Sequence, residues 1–393
     1  MKKTIIRLFL VHAFITGIAV SFFFTTYTLF LKGKGITLLE MNIINATFMA
    51  SVFLLEVPTG AFADFYGRVR STIAGSLFLA ISFAAYYFSN HFWLFISAEI
   101  IGACGHSLIS GATRSWVVDW LNHFHAENET KKVFQHQMGL SQIGIMIGAF
   151  TGSQLGNINL SWPWIASAIS YLLVAAYVSF WPENHGQRNK GKVCFAPILK
   201  IAKEGCFYSV KRKDILYISL FSALLNFSYQ SINMYWAILF SERGISVSKL
   251  GWMFVGVSLA IAIGAYLGKL LPLKSEEKRT FLVVPQLITG LAIIGLSLST
   301  SNPFLIAILL MHEMGRGFFK PIKDVQINLA APERIRATVN SFSSMIEKLG
   351  AFAGLLLSGW LAQELSIRSS WMISGIVICV GVILFYEFRK KCH

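Results

Sequence analysis

Charge is scarce in this chain. Of 393 residues, 13% are Asp, Glu, Lys or Arg, about half the ~25% usual in soluble domains, which excludes an ordinary water-soluble globule. Cysteine is sparse as well. Cys104, Cys194, Cys206, Cys379 and Cys392 are scattered without C-x-x-C spacing, so no disulfide framework and no metal site is expected. A Walker A loop is absent, which argues against ATP hydrolysis. Acidic residues number 19 against 34 Lys and Arg, a net charge of +15. In a soluble chain that excess would suggest nucleic acid. Here the basic residues sit mainly in alternate loops, so the charge is topological and no nucleic-acid partner is expected.

What the chain has in abundance is apolar length, with 55% hydrophobic residues and a mean hydropathy of +0.60. Its size suits about twelve helices of ~20 residues. Apolar runs predict helices near 5–31, 37–63, 71–89, 91–121, 133–157 and 161–181, then 214–241, 246–270, 281–300, 302–330, 337–364 and 366–388. Met1-Lys2-Lys3 before an apolar run imitates a signal peptide, but the stretch is long and lacks a small-residue cleavage site, so it reads as an uncleaved first helix. Lys2, Lys3, Arg7, Arg68, Arg70, Lys131, Lys132, Lys274, Lys278, Arg279, Arg334, Arg336, Arg389, Lys390 and Lys391 then share one side, whereas the opposite loops hold only Lys32, Lys34, Arg243, Lys249 and Arg368. The asymmetry predicts both termini in the cytoplasm.

The longest polar stretch, Glu183 to Asp214, carries Arg188, Lys190, Lys192, Lys200, Lys203, Lys211, Arg212 and Lys213. It divides the chain into an N-terminal six-helix bundle (1–182), a cytoplasmic central loop (183–213) and a C-terminal six-helix bundle (214–393). Within it, Ala196 to Val210 reads either as an amphipathic helix on the inner leaflet or as a basic linker. The halves look like repeats: Gly144, Gly148 and Gly152 recur every four residues, as do Gly350, Gly354 and Ser358, and Asp119 and Asp324 end the fourth and tenth helices at a similar offset.

One stretch turns polar in an ordered way, Glu56-Val57-Pro58-Thr59-Gly60-Ala61-Phe62-Ala63-Asp64-Phe65-Tyr66-Gly67-Arg68-Val69-Arg70. Gly60 and Asp64 share a helix face, where glycine permits close approach of a neighbouring helix and Asp64 can accept N–H groups of a helix start. Gly67 permits a left-handed turn. The pattern resembles the loop between helices 2 and 3 of the major facilitator superfamily, roughly Gly-x-Leu-Ala-Asp-Arg-x-Gly-Arg-Arg. Gly60, Ala63, Asp64, Gly67 and Arg68 match, Phe62 and Phe65 depart, and the second arginine comes one place late as Arg70. Glu56-x-Pro58-Thr59-Gly60 is similar to one branch of bacterial members, many of them presumed exporters. Asn328, Pro332, Arg334, Arg336-Ala337-Thr338 and Ser341 resemble the loop between helices 10 and 11 of the same branch. Gly144-x-x-x-Gly148-Ala149-x-x-Gly152-Ser153 resembles the family's antiporter motif, although small-residue packing explains the spacing equally well.

The resemblance implies an all-α membrane protein of twelve transmembrane helices in two pseudo-symmetric six-helix bundles, with a site near the midplane. Gly60, Asp64, Gly67, Arg68 and Asp119 are the candidates for a latch at the inner end. Glu99 stands where many proton-coupled members carry an arginine, a departure from the usual coupling arrangement. Charges within helices 10 and 11 cost at least ~2.5 kcal/mol on insertion scales unless they face inward and pair. Glu313, Arg316, Lys320 and Asp324 share one face of helix 10, with Lys323 beside them and Glu347 and Lys348 on helix 11. The expected pairs are Arg316 with Glu347 and Glu313 with Lys348. Glu56 could exchange protons, or be a structural partner for Arg114 or for helix-end N–H groups, and Asn226, Gln230 and Asn233 share a face that could line a cavity. His12 and His106 could titrate, although a lone membrane histidine is more often a hydrogen-bonded packing residue.

Gly105-His106-Ser107-Leu108-Ile109 lacks the closing glycine of a hydrolase elbow, so no catalytic residue and no enzyme is expected; nor is any cofactor. The expected function is a secondary active transporter working by alternating access in a bacterial plasma (inner) membrane. Proton-coupled antiport exporting a small amphiphilic or drug-like organic molecule is the first reading. Proton-coupled symport importing an anionic metabolite or siderophore-like carboxylate metal chelate is the second, and a sensor that no longer transports is a third. The expected partners are a small-molecule substrate, protons and the lipid bilayer, with the chain a monomer.

Overall fold

A computed structural model describes residues 1–183, 195–270, 278–332 and 335–391. Arg188, Lys190, Lys192, Lys274, Arg334, Cys194 and Cys392, named above, lie outside the described residues. The first half comprises α1 (Lys2–Ser21), α2 (Tyr27–Gly33), α3 (Leu38–Tyr66), α4 (Arg68–Phe88), α5 (Phe92–His123), α6 (Thr130–Ile158) and α7 (Trp162–Ser179). Then follow α8 (Phe195–Lys211), α9 (Lys213–Glu242), α10 (Val247–Leu270), α11 (Lys278–Leu298), α12 (Asn302–Ala330), α13 (Arg336–Glu364) and α14 (Ile367–Lys391). Setting aside the short α2 and the polar α8, twelve long helices remain, in agreement with the sequence reading. Among the described residues, nine are long and apolar enough to cross a membrane by length and composition, and α11 contributes the shorter apolar run Val283–Leu298. The two that fall short, α6 and α12, are rich in polar side chains.

One predicted span is broken. The apolar run 5–31 is two helices, because α1 stops at Ser21 and α2 begins at Tyr27. Between them the bonding tightens to Phe24 N–H to Ser21 O and Thr26 N–H to Phe23 O, both 3.0 Å. Local chemistry sets other ends. Thr37 caps α3 by accepting from Glu40 N–H at 3.3 Å, while its own N–H donates to the Glu40 carboxylate at 2.8 Å, a reciprocal capping box. Gly67 separates α3 from α4 at φ +107°, a region that side chains avoid. A Cβ there would also strike the Glu183 carboxylate. Gly60, in contrast, has no heavy atom of the described residues within 4 Å of where a Cβ would stand. The expected close approach of a helix at Gly60 is therefore not made here; the tight position is Gly67.

The chain forms two compact units, one of residues 1–193 with 244–255 and one of residues 194–243 with 256–393. In the first, α1 packs on α6, α4 on α5 and α7, and α3 on α5; in the second, α9 packs on α13 and α14, and α11 on α12 and α14. Three of these pairings recur in the second unit: α1–α6 as α9–α13, α4–α5 as α11–α12, and α4–α7 as α11–α14. Backbone contact through glycine explains the first of these pairings: Gly144, Gly148 and Gly152 of α6 lie against the carbonyls of Phe14, Ile18 and Phe22, while Gly350 and Gly354 of α13 lie against those of Ala223 and Phe227. Helices in lipid gain little from hydrophobicity against one another, so small residues that admit a neighbouring backbone carry their association.

The repeat also extends to the loops, where the sequence reading missed it. Lys34-Gly35-Ile36-Thr37 and Arg243-Gly244-Ile245-Ser246 correspond, with Gly35 at φ +78° and Gly244 at φ +80°. Lys34 Nζ donates to Asn90 Oδ1 at 2.6 Å, and Arg243 correspondingly donates to Thr300 O and, at 3.3 Å, to Ser299 O. Lys34 thus ties its loop to the one between α4 and α5, and Arg243 its loop to the one between α11 and α12. α8 forms as the amphipathic reading has it and packs with the second unit: Gly205 meets Thr338, and Tyr208 Oη donates to Ala330 O at 3.1 Å. Phe207, Val210 and Lys211 remain exposed.

Substituting Gly152 by Val should force α6 off the Phe22 carbonyl and cost about 1–3 kcal/mol, the usual range for overpacking. Gly60→Ala should change stability by less than about 1 kcal/mol. Thermal unfolding of the purified variants in detergent checks the contrast; equal losses at both positions would refute it.

Candidate functional site

The loop between α3 and α4 presents its charges in order. Arg68, the first residue of α4, lies 2.6 Å from Asp64 Oδ1 and 3.8 Å from Asp119 Oδ2. Three elements, the end of α3, the start of α4 and the last turn of α5, therefore meet through one guanidinium. The ionic partner of Asp64 is thus Arg68 rather than the backbone N–H groups of another helix. Beneath the cluster, Trp116 stacks on Trp181 at 4.1 Å between ring centres and donates its indole N–H to Pro182 O at 3.0 Å. This fastens the segment leading to Glu183 under the loop.

The second unit concentrates its charge along α12. Arg316 donates to Asn233 Oδ1 at 2.8 Å and lies 3.5 Å from the Glu313 carboxylate, with its guanidinium 5.3 Å from the Tyr229 ring centre. Tyr229 Oη in turn donates to Gln286 Oε1 at 2.8 Å, and Gln286 Nε2 donates to Gly315 O at 3.0 Å. α9, α11 and α12 thus share one polar network. His312, fully buried, places Nδ1 3.4 Å from Glu313 Oε1 at an angle that makes no hydrogen bond. Sequence reasoning did not single out His312 or Gln286. The signal at His312 was a polar side chain beside the charged Glu313, and at Gln286 a polar side chain in an otherwise apolar stretch.

Two turns further along α12, Lys323 Nζ lies 2.5 Å from Glu347 Oε1 and 3.4 Å from Asp324 Oδ1. These residues border a cavity of about 410 Å³ lined also by Lys320, Ile327, Asn328, Asn340, Ser343 and Ser344. The expected pairs need correction. Arg316 pairs with Glu313 instead of Glu347, because residues three apart on one helix already face each other. Glu347 meets Lys323, which stands seven residues from Arg316, about 10 Å of helix rise. Lys348 and Lys320 are exposed, and Lys348 does not pair with Glu313.

The remaining candidates are dispersed. Glu56 is exposed on α3 and Arg114 on α5; no ion pair joins them, and Arg114 lies 5.9 Å from the Phe134 ring centre. Asn226 and Gln230 turn their amide NH2 groups back to carbonyls of α9, at 2.9 and 3.2 Å. Among the described residues no group of three His, Cys, Asp or Glu side chains could hold a metal ion.

The residue most changed by the structure is Glu99. Half-buried on α5, it accepts hydrogen bonds from Tyr86 Oη and, at 3.4 Å, from Tyr27 Oη, the first residue of α2. Trp164 of α7 stacks on Tyr86 at 4.0 Å and 6°, and on Phe23 at 4.3 Å and 11°. The sequence reading registered Glu99 only as a departure from a pattern, not as a site. A single carboxylate between Phe92 and His106 was the signal available.

Comparison with known proteins bears on what such an arrangement belongs to. The sequence profile of the Major Facilitator Superfamily matches residues 9–214 and 216–391. An uncharacterized MFS-type transporter of Bacillus subtilis, YxaM, is 24% identical over 391 residues, covering 94% of this chain and 92% of the relative. The multidrug resistance protein MdtH of Yersinia enterocolitica is 22% identical over 354 residues, covering 86% and 82%. Crystal structures of the nucleoside transporter NupG superpose with TM-scores of 0.81 and 0.79 at 13% identity, covering 98% of this chain and 99% of theirs.

The Lys323–Glu347 pair is testable by a double-mutant cycle. Lys323→Met strands a half-buried carboxylate and should destabilise the protein by about 3–5 kcal/mol. Lys323→Met with Glu347→Leu should recover most of that loss, read as thermal unfolding in detergent. A double variant as unstable as the sum of the single ones would show that no coupling exists.

Proposed function

The chain belongs to the major facilitator superfamily, and from that premise we propose that it is a proton-coupled antiporter, working by alternating access, that exports a small amphiphilic or drug-like organic molecule. It is a multi-pass membrane protein and a transporter rather than an enzyme. We place it in a bacterial plasma (inner) membrane as a monomer with both termini cytoplasmic, on the alternation of basic loops and the bacterial relatives.

One observation carries the choice between export of such a molecule and import of an anion. The anion reading rests on the surplus of Arg316, Lys320, Lys323 and Lys348 in the second half. Of these, Arg316 is engaged by Glu313 and Asn233, and Lys323 by Glu347 and Asp324. A cation already satisfied by a carboxylate offers an incoming anion little, since the anion must displace an existing partner. The names of MdtH relatives point the same way. Import of a carboxylate-bearing metabolite or metal chelate keeps only the exposed Lys320 and Lys348 in its favour.

In this reading Gly60, Asp64, Gly67, Arg68 and Asp119 form the latch. Arg68 holds α3, α4 and α5 together in one state and releases them when the helices move. Glu56, Arg114, Asn226, Gln230, Glu313, Arg316, Lys320, Glu347 and Lys348 are the groups available to substrate or protons.

The deciding experiment uses purified protein in liposomes with an imposed pH gradient, following internal pH while drug-like cations and carboxylate chelates are added. Proton and substrate moving in opposite directions is the expected outcome. Co-movement of protons with an anion, lost in Arg316→Ala, would replace export by import. Asp64→Asn should slow transport by about tenfold to a hundredfold at equal protein level, because a charge-assisted bond worth roughly 1.5–3 kcal/mol is lost from one conformation only. Unchanged rates would remove the latch.

A further inference from the structure

Five carboxylates of the two charge clusters are balanced locally. Asp64, Asp119, Glu313, Asp324 and Glu347 each lie within 4.0 Å of a basic nitrogen. Glu99 does not. It sits seven residues into α5, about 10 Å along the helix, and its partners are two phenols, Tyr86 of α4 and Tyr27 of α2. Phenolic O–H groups stabilise a carboxylate by donation but leave its charge uncompensated, and in a low-dielectric setting that charge must be neutralised by a proton or by a cation.

The surroundings specify which cation. Tyr27 and Tyr86 are the titratable groups against Glu99, and α7 adds Trp164, packed between Tyr86 and Phe23. Tyr27 and Tyr86 lie 6.3 Å apart between ring centres, Tyr27 and Trp164 6.0 Å. Tyr86 and Trp164 are fully buried and cover each other, so the partly exposed ring beside the carboxylate is that of Tyr27. One aromatic ring and one carboxylate favour a weakly hydrated organic cation over a metal ion, which would need several oxygen ligands. Glu99 supplies only one carboxylate.

The location adds a mechanical consequence. Phe23 lies in the break between α1 and α2, and Tyr27 begins α2 just beyond it. Irregular backbone at membrane depth is tolerated only where it is buried in protein or lines a water-filled cavity. A change in what Glu99 holds is therefore relayed through Tyr27 to a segment without a full helical ladder.

We infer that Glu99, gripped by Tyr27 and Tyr86, is a monocation site at which a proton and a lipophilic organic cation exclude one another. The ligand class rests on the exporter reading; the site itself does not. Protonation neutralises the carboxyl and releases the organic cation, and arrival of the cation displaces the proton to water.

Two measurements on the purified full-length protein test this. Equilibrium dialysis with radiolabelled tetraphenylphosphonium should show binding at mildly alkaline pH that weakens as protons are added. In Glu99→Gln the affinity should fall about tenfold or more, as for loss of one partner of a desolvated charge pair, and the pH dependence should vanish. Infrared difference spectra between acidic and alkaline pH should contain a carboxyl C=O band that Glu99→Gln removes. Tyr86→Phe, which keeps the ring stack, should retain the band and move its pH midpoint, guarding against a variant that merely misfolds. An unchanged band in Glu99→Gln, no tetraphenylphosphonium binding by the wild type at any pH, or equal binding by both would overturn the site. Antiport in liposomes that persists undiminished in Glu99→Gln would remove the site and leave the exporter reading standing. A Glu99 band that titrates in a protein showing no proton-driven flux would remove the exporter reading alone.

Discussion

The cost of placing charge among apolar helices governs what this chain can be. Each ionised group away from water must find a partner of opposite sign or lose its charge. That requirement fixes the register of α12 against α9 and α13. Arg316 is oriented by Asn233, Glu313 and the Tyr229 face, while Lys323 is oriented by Glu347. Sliding α13 by one turn along α12 would separate Glu347 from Lys323 by about 5 Å and strand two charges at once. Pairing is thus a positional device as much as a stabilising one, since a hydrophobic replacement of similar volume would often hold the helices as well.

A second constraint acts on the apolar surfaces. Lipid is as good a solvent for leucine as another helix is, so association depends on closeness of backbones. The glycine ladders of α6 and α13 meet this by seating the carbonyls of α1 and α9 where side chains would stand. At Gly152 the carbonyl received is that of Phe22, at the start of the break in the first span. Close packing and irregular backbone coincide there because a helix that loses its ladder must be held by its neighbour.

Much of this was legible in sequence. Twelve long helices and the composition of the loop charge cluster follow from hydropathy and the spacing of Asp64, Gly67 and Arg68. Which charges pair was not legible, because Glu313, Arg316 and Glu347 are defined by one-dimensional spacing only along their own helices, and the meeting of α12 with α13 is a three-dimensional fact. The break at 22–26 was hidden for a similar reason. It contains no proline or glycine to announce it, and Phe22, Phe23 and Phe24 read as continuous apolar helix. Glu99 was visible but unweighted, since two tyrosines from distant positions become its partners only after folding.

The two units therefore answer the same electrostatic problem in different ways, and the difference has consequences for what can drive motion. A carboxylate paired with a guanidinium or ammonium, such as Glu313 or Glu347, keeps that partner as an anchor between or along its helices. A carboxylate held by neutral donors has no such anchor. Its state is set by whatever cation the surroundings supply, and each change of state alters the bonds it asks of Tyr27 and Tyr86. A transporter needs both kinds of group, because rigid units must persist while a switchable contact reports occupancy. On this argument the balanced network around Arg316 is the scaffold, and the responsive element is sought where charge is present without a counter-charge.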